Sequence, residues 1–94
     1  MLDKQIPFDF TLISPDAFQL FRDGQIISTL DRCGIFLCRQ GTIELFFGDK
    51  FYQMRHGDIY IYMPSTLVRL LHKSKDAEGI MVEIGLDYII PIVN

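Results

Sequence analysis

The residues of this chain best suited to metal binding or nucleophilic chemistry are two histidines and two cysteines. A metal centre or a catalytic site needs several His, Cys, Asp or Glu side chains that converge on one point. His56 and His72 fall at what look like separate corners of the fold, and no H-x-H, H-E-x-x-H or C-x-x-C motif occurs. Both histidines are therefore predicted to be surface or rim residues, and no metal and no cofactor is expected.

The two cysteines, Cys33 and Cys38, are five positions apart. On one extended strand they would face opposite sides with their Cα atoms roughly 16 Å apart, which is beyond the reach of a disulfide. They are predicted to be free thiols that act as small buried apolar residues.

Three glycines, Gly41, Gly48 and Gly57, could suggest a phosphate-binding loop. Such a loop gathers its glycines in front of one helix, whereas these are spread over three separate turns. They are predicted to be turn glycines, with Gly48-Asp49 forming a two-residue hairpin.

Short apolar segments separated by turn residues follow one another from Gly34 onward, a pattern typical of an all-β fold. The polar run "KSKDAEG" predicts a solvated loop before the last strand. The predicted strands are Gly34–Arg39, Thr42–Phe47, Lys50–Arg55, Ile59–Met63, Leu67–His72 and Gly79–Gly85.

The first third of the chain contains the signals of a helix start. Ser14 is a good N-cap, Pro15 suits the first helical position, and Asp16 suits the first turn. These residues predict a short helix that ends before Gly24, although "FRDGQII" also fits a hairpin turn.

Length and charge restrict the function classes. Ninety-four residues make one domain, and 9 Lys and Arg against 12 Asp and Glu give a net charge of −3 with no basic stripe. DNA binding by this chain alone is therefore not expected. No apolar run reaches the roughly 20 residues of a membrane span, and the start lacks a signal peptide, so a cytoplasmic location is predicted.

The run "CRQGTIELFFGDKFYQMRHGDIYIYMP" resembles the cupin barrel, a double-stranded β-helix, and specifically the N-terminal sensing domain of AraC-type transcription regulators. The resemblance covers about Gly34 to Gly85. It is carried by Gly41, Gly48-Asp49, Gly57-Asp58, Pro64 and "LVRLLHKSKDAEGIMVEI".

The same resemblance bears on catalysis. Metal-dependent cupins supply two His and a Glu before the first glycine, and a third His later. Here the Glu position falls on Gly34, the two His positions fall in "IIST", and the late His position falls on Val68. The resemblance therefore implies a barrel that binds a ligand and is not an enzyme.

The resemblance also implies which side chains face the barrel interior. By the resemblance Phe36 and Cys38 face inward on one strand, and Val68, Leu70 and His72 face inward on another. Tyr60 and Tyr62 share one face of their strand, and if that face is the interior, their hydroxyl groups and His72 would orient a ligand. An alternative is that all these side chains simply fill a small barrel. The candidate ligand-binding residues are Phe36, Cys38, Tyr60, Tyr62, Val68, Leu70 and His72.

The strands Ile59–Met63 and Gly79–Gly85 and the tail "YIIPIVN" are rich in apolar residues that one barrel interior cannot all accommodate. Self-association through these surfaces is therefore expected. Because the chain ends while still apolar, residues 1–94 are interpreted as one domain of a longer protein with a C-terminal helix-turn-helix domain.

The expected function is effector sensing and homodimerisation in a bacterial AraC-type regulator. By resemblance the effector would be a sugar or another metabolite, DNA would be bound only by the separate domain, and "MLDKQIPFDFTLISP" would be an arm or lid. The alternatives are a free-standing small cupin enzyme, a binding protein without metal, and a β module without a ligand.

Overall fold

The structure, a computed structural model, describes residues 10–28 and 30–85, which form seven strands and one short helix. These elements confirm the predicted all-β class and its short N-terminal helical turn. Part of the expected arm and the tail 86–94 lie outside the described residues. The elements are β1 (Phe10–Ile13), α1 (Pro15–Gln19), β2 (Arg32–Gln40), β3 (Thr42–Phe47), β4 (Lys50–Arg55), β5 (Ile59–Tyr62), β6 (Val68–Lys73) and β7 (Glu78–Gly85).

The strands form two antiparallel sheets. One has four strands in the order β1-β7-β2-β5, and the other has three in the order β4-β3-β6. Alternate side chains of both sheets enter a single buried cluster, so the sheets pack face to face as the two layers of a small barrel.

The turn between β3 and β4 has the predicted geometry. Phe47 pairs with Lys50, which leaves Gly48 and Asp49 as a two-residue hairpin loop. Gly48 has a φ of 64°, a conformation that residues with a Cβ atom seldom adopt. The glycine therefore fixes the register in which β3 and β4 pair.

The N-terminal part combines the predicted helix with a strand. Ser14 caps α1 by accepting a hydrogen bond from the Ala17 amide at 3.3 Å, and Pro15 occupies the first turn. Phe18 of α1 is fully buried and packs edge-on against Phe36 with ring centroids 5.6 Å apart. Phe10–Ile13, which the sequence placed in the arm, is strand β1 and pairs with β7.

The segment between α1 and β2 extends the three-stranded sheet. The Gly24 amide donates to the Leu70 carbonyl at 2.6 Å, and the Leu70 amide donates to the Gln25 carbonyl at 2.8 Å. The Ile27 amide donates to the Val68 carbonyl at 2.8 Å. The otherwise open edge of β6 is therefore satisfied by these backbone hydrogen bonds.

A bulge interrupts the pairing of β3 with β6. Leu45 pairs with Leu70, but the preceding residue, Glu44, pairs with His72, so Leu71 has no counterpart on β3. One extra residue reverses the alternation of a strand with period two. Leu70 is consequently buried while His72 lies on the outer surface.

Candidate functional site

Polar side chains meet aromatic rings at one end of the barrel interior, in a group that we call the tyrosine cluster: Tyr52, Tyr60 and Tyr62 around Phe47. The Tyr60 ring stacks on Phe47 with centroids 3.8 Å apart and an interplanar angle of 13°. Tyr52 lies 4.8 Å from Tyr60 and 5.5 Å from Phe47, and Tyr62 lies 6.1 Å from Phe47. Tyr52 and Tyr60 are half-buried, whereas Tyr62 is fully buried.

The Tyr62 hydroxyl donates a hydrogen bond to the buried carboxylate of Glu83. Tyr62 is on β5 and Glu83 is on β7, and both pair with Gly34 of the intervening strand β2. A Cβ atom at position 34 would lie 2.5 Å from both the Cζ atom and the hydroxyl oxygen of Tyr62. The tyrosine therefore reaches Glu83 only because residue 34 has no side chain.

The pKa values of two tyrosines are raised. Burial, followed by the hydrogen bond to Glu83, holds the pKa of Tyr62 far above its ordinary value. The hydrogen bond with Tyr52, followed by burial, raises the pKa of Tyr60. Both hydroxyl groups are therefore neutral at physiological pH, so each can donate and accept hydrogen bonds.

Six of the seven candidate residues lie on the inner side of the barrel. Phe36, Cys38, Val68, Leu70 and Tyr62 are buried in the core, and Tyr60 is half-buried beside Phe47. Burial and packing place them together without assigning them a ligand, so their binding role stays a prediction. Both cysteines are free, as predicted, and burial raises the pKa of the Cys38 thiol. Cys33 is half-buried on the outer side of β2, so the prediction of a buried residue is confirmed for Cys38 and wrong for Cys33.

The expectation that His72 faces the interior is wrong. Its side chain is 64% exposed, and its Nδ1 atom lies 3.3 Å from the Oδ2 atom of the equally exposed Asp23. The bulge at Leu71 is the physical reason, because it turns every following side chain of β6 to the opposite face.

Two polar members of this site, Tyr52 and Glu83, were not among the residues predicted from the sequence. The sequence contains a signal for Glu83, because it is a charged residue within the apolar stretch "IMVEIG". It is two residues after Met81 and therefore lies on the same, inner side of β7. The sequence contains no comparable signal for Tyr52, because its position on the inner face follows from its pairing with Leu45.

The residues at the cupin ligand positions do not fit a metal ion. The space in front of Gly34 is taken by the Tyr62 ring, and Val68 is an apolar core residue. Within residues 10–28 and 30–85 no group of three or more His, Cys, Asp or Glu could hold one. These positions therefore lack the nitrogen, sulfur and carboxylate donors that a metal ion needs.

An open depression of about 560 Å³ lies outside the barrel, on the loop after α1. It is lined by Leu20, Arg22, Asp23, Gly24 and Gln25. Ligand sites usually bury most of the ligand among apolar side chains. A wide, polar depression on one loop meets neither condition, so the tyrosine cluster with Glu83 is the stronger candidate.

Similarity to known proteins comes from structure rather than sequence. No protein-family profile and no curated protein matches the sequence. Among the described residues, no helix has the length and apolar character needed to cross a membrane.

The fold is similar to those of solved cupin domains. The Schizosaccharomyces pombe Cnp3 cupin domain matches with a TM-score of 0.61 and 16% identity over 89% of this chain and 57% of that one. A cupin 2 conserved barrel domain protein from Salinispora arenicola matches with a TM-score of 0.57 and 11% identity over 89% and 66%. The plu4264 protein of Photorhabdus luminescens gives 0.56 and 10% over 90% and 70%.

The chain spans 66% and 57% of the lengths of the first two of the solved structures that it matches. At these identities the likeness concerns the fold alone. The chain has a cupin-like fold.

Proposed function

We propose that this chain is the effector-sensing and dimerisation domain of a bacterial AraC-type transcription regulator. It acts in the cytoplasm as a homodimer, binds a small molecule without converting it, and leaves DNA binding to a separate domain. The cupin-like fold and the order of turn glycines and strands support the regulator assignment, and the tyrosine cluster supports the binding role.

The observation that carries the proposal is the hydrogen bond between Tyr62 and Glu83 inside an otherwise apolar barrel. Burying a carboxylate costs free energy, and an apolar pair of similar volume is often as stable or more stable at such a position. A chain selected for stability alone gains little from Glu83. A binding site, in contrast, needs a small number of fixed polar groups among apolar walls.

The chemistry of the site defines the class of ligand. The half-buried rings of Tyr52 and Tyr60 present an apolar surface and neutral hydroxyl groups, and the Tyr62–Glu83 pair lies behind them. A carboxylate ligand would be disfavoured next to Glu83 by like-charge repulsion. The ligand class is therefore a small neutral molecule with hydroxyl or amide groups and one apolar face.

Sensing requires that the ligand prefers one arrangement of the dimer over another. Strands β2 and β5 carry inner side chains next to the tyrosine cluster and outer side chains on the opposite face of the same sheet. A shift of either strand on ligand binding therefore moves the outer surface directly.

Intrinsic tyrosine fluorescence tests the binding site, because the chain has no tryptophan and three of its four tyrosines belong to the tyrosine cluster. The purified chain is titrated with a panel of neutral monosaccharides, polyols and small amides. At least one probe is expected to give a saturable change, and Tyr60→Phe is expected to weaken its binding about tenfold by removing one hydroxyl group.

His72→Ala is the matched control, since His72 lies outside the barrel and its loss should leave the binding unchanged. A panel without any saturable response would contradict the binding role, as would equal affinities of the parent chain and Tyr60→Phe. One transition-metal ion per chain in the purified protein, together with turnover of a probe, would favour the cupin enzyme instead.

A further inference from the structure

The outer surface of the four-stranded sheet is apolar across all four strands, and we call it the apolar outer face. The pairing registers align its residues in three rows: Phe10, Ile84 and Cys33; Leu12, Val82, Ile35 and Ile61; and Ile80, Leu37 and Ile59. Met63, immediately after β5, continues the same alternation. No charged side chain lies within these rows.

In the described part of the chain, six side chains of this face are exposed and the other five are half-buried. Ile61 on the edge strand β5 is 66% exposed, and Ile35 on the inner strand β2 is still 46% exposed. Phe10, Leu12, Ile59 and Met63 are also exposed. Antiparallel sheets with one wet face normally alternate apolar and polar residues, so a face of this composition indicates a covering partner.

The area matches the apolar part of a stable interface. Four strands about 4.8 Å apart and three rows about 6.7 Å apart give roughly 400 Å² in projection. A standard interface buries about 800 Å² per partner, of which about 500 Å² is apolar. The face is therefore as large as the apolar centre of an ordinary dimer interface.

The charge distribution favours a second copy of the same chain. Each chain has a net charge of −3, which would oppose self-association through any face that carried acidic groups. The apolar outer face has none within its rows, and one end is bordered by the ion pair of Arg39 and Glu78, with N···O 2.7 Å. An uncharged centre with a polar rim is the usual anatomy of such an interface.

We infer that two copies of this chain pack their apolar outer faces against each other around a twofold axis, as two sheets about 10 Å apart. The inference rests on the proposed function, whose dimerisation it assigns to a surface. Ile35 and Val82, which pair at the middle of the face, lie nearest its centre. Leu12 and Ile61 lie at the two ends of the same row.

Sedimentation over a concentration series tests this interface with one face variant and one matched control. Ile61→Glu places a charge on the apolar outer face, and Ile26→Glu places the same charge at an exposed isoleucine beside β6, outside the face. The parent chain and Ile26→Glu are expected to dimerise, and Ile61→Glu is expected to dissociate at least about a hundredfold more readily. Circular dichroism establishes that both variants are folded.

Alkylation of Cys33 is a second measurement that needs no variant. Cys33 belongs to the apolar outer face, whereas Cys38 is fully buried in the core. The rate at which iodoacetamide modifies Cys33 is expected to fall as the protein concentration passes through the dimer range.

The outcomes separate this inference from the proposed function. A dimer that persists in Ile61→Glu, with Cys33 equally reactive at all concentrations, overturns the inference and leaves dimerisation through another surface. A strictly monomeric parent chain overturns it as well, because the face would then have no second copy to cover it. Loss of the probe response in the fluorescence titration contradicts sensing alone and leaves the interface unaffected.

Discussion

The two sheets of this barrel both contribute apolar side chains to the core, but their outer surfaces differ in composition. In the three-stranded sheet, Ile43, Leu45 and Leu70 are buried inside, while outside Gln53 donates to Glu44 at 3.3 Å and Arg55 donates to Gln53 at 3.0 Å. In the four-stranded sheet the inner side combines apolar side chains such as Phe36 and Met81 with the buried carboxylate of Glu83, and the apolar outer face is outside.

The three-stranded sheet needs little beyond the fold, since its inner side chains form the core and its outer side is polar apart from the neighbouring rings of Phe46 and Phe51. The four-stranded sheet needs a hydrogen-bond partner for its buried carboxylate and a partner that covers its apolar outer face. The three-stranded sheet is therefore interpreted as the scaffold, and the four-stranded sheet as the part that binds.

The largest effect on stability is expected at Gly34, on the inner side of the four-stranded sheet. Gly34→Ala places a methyl group 2.5 Å from the Tyr62 ring, which must then move away from Glu83. The free energy of unfolding should fall by about 3 kcal/mol through steric strain and the loss of this hydrogen bond. Urea denaturation measures it.

Cys33→Ala, at the neighbouring position on the outer side of β2, is the control for Gly34→Ala and should cost less than about 1 kcal/mol. Equal costs for the two variants would mean that residue 34 is not what positions Tyr62.

Tyr62→Phe keeps the ring and removes only the hydroxyl group that donates to Glu83. Leaving the buried carboxylate without this donor should lower the free energy of unfolding by about 2 kcal/mol near neutral pH. Tyr52→Phe, which alters a half-buried hydroxyl group of the same cluster, should cost less than half as much. A Tyr62→Phe variant as stable as the parent would show that Glu83 has another adequate partner.

Alkaline pH acts directly on the hydrogen bond between Tyr62 and Glu83. The pKa of Tyr62 is raised in the folded state, so its contribution to stability is complete below the unfolded value of about 10 and is lost as the pH rises above it. Between about pH 9 and about pH 11 the parent chain should lose more stability than Tyr62→Phe. Denaturant titrations of both proteins at the two pH values measure the difference, and identical losses would contradict it.

Association of the parent chain should respond little to salt. The rows of the apolar outer face contain no charge, so raising the ionic strength from about 0.05 M to about 0.5 M should change the dimer dissociation constant by less than about threefold. Sedimentation at the two ionic strengths is the measurement. A tenfold weakening in salt would indicate an interface built from ion pairs instead.

The smallest effects on the free energy of unfolding are expected on the outer side of the three-stranded sheet. Glu44→Ala and His72→Ala each remove an exposed or half-buried polar contact and should change the free energy of unfolding by less than about 0.5 kcal/mol. Leu70→Ala, on the inner side of β6, should cost about 3 kcal/mol under the same conditions. A large cost for His72→Ala would place this histidine in a role that its exposure does not indicate.

Local signals in the sequence predict most of the fold. Turn glycines and short apolar segments identify six strands, two of them, β3 and β4, with the observed ends, because hairpin pairing depends on neighbouring residues. Strand β1 was not predicted, since four residues of an edge strand carry little pattern and Phe10–Ile13 pairs only with the distant β7.

The site is less predictable than the fold because it depends on register. The alternation of side chains along a strand correctly places Val68 and Leu70 inside. It fails at His72, because the bulge at Leu71 adds one residue to β6 before it. The partnership of Tyr62 with Glu83 joins strands separated by β2, and no local pattern in the sequence encodes such a pairing.

The missing side chain at position 34 also constrains how this barrel can evolve. By the resemblance, Gly34 corresponds to the glutamate of metal-dependent cupins. In this chain the Tyr62 ring occupies the space where that side chain would lie. A glutamate introduced at Gly34 collides with Tyr62, while loss of Tyr62 alone leaves Glu83 without its donor. Substitutions at positions 34, 62 and 83 are therefore expected to be non-additive, and a variant with a glutamate at position 34 would need changes at several of them together.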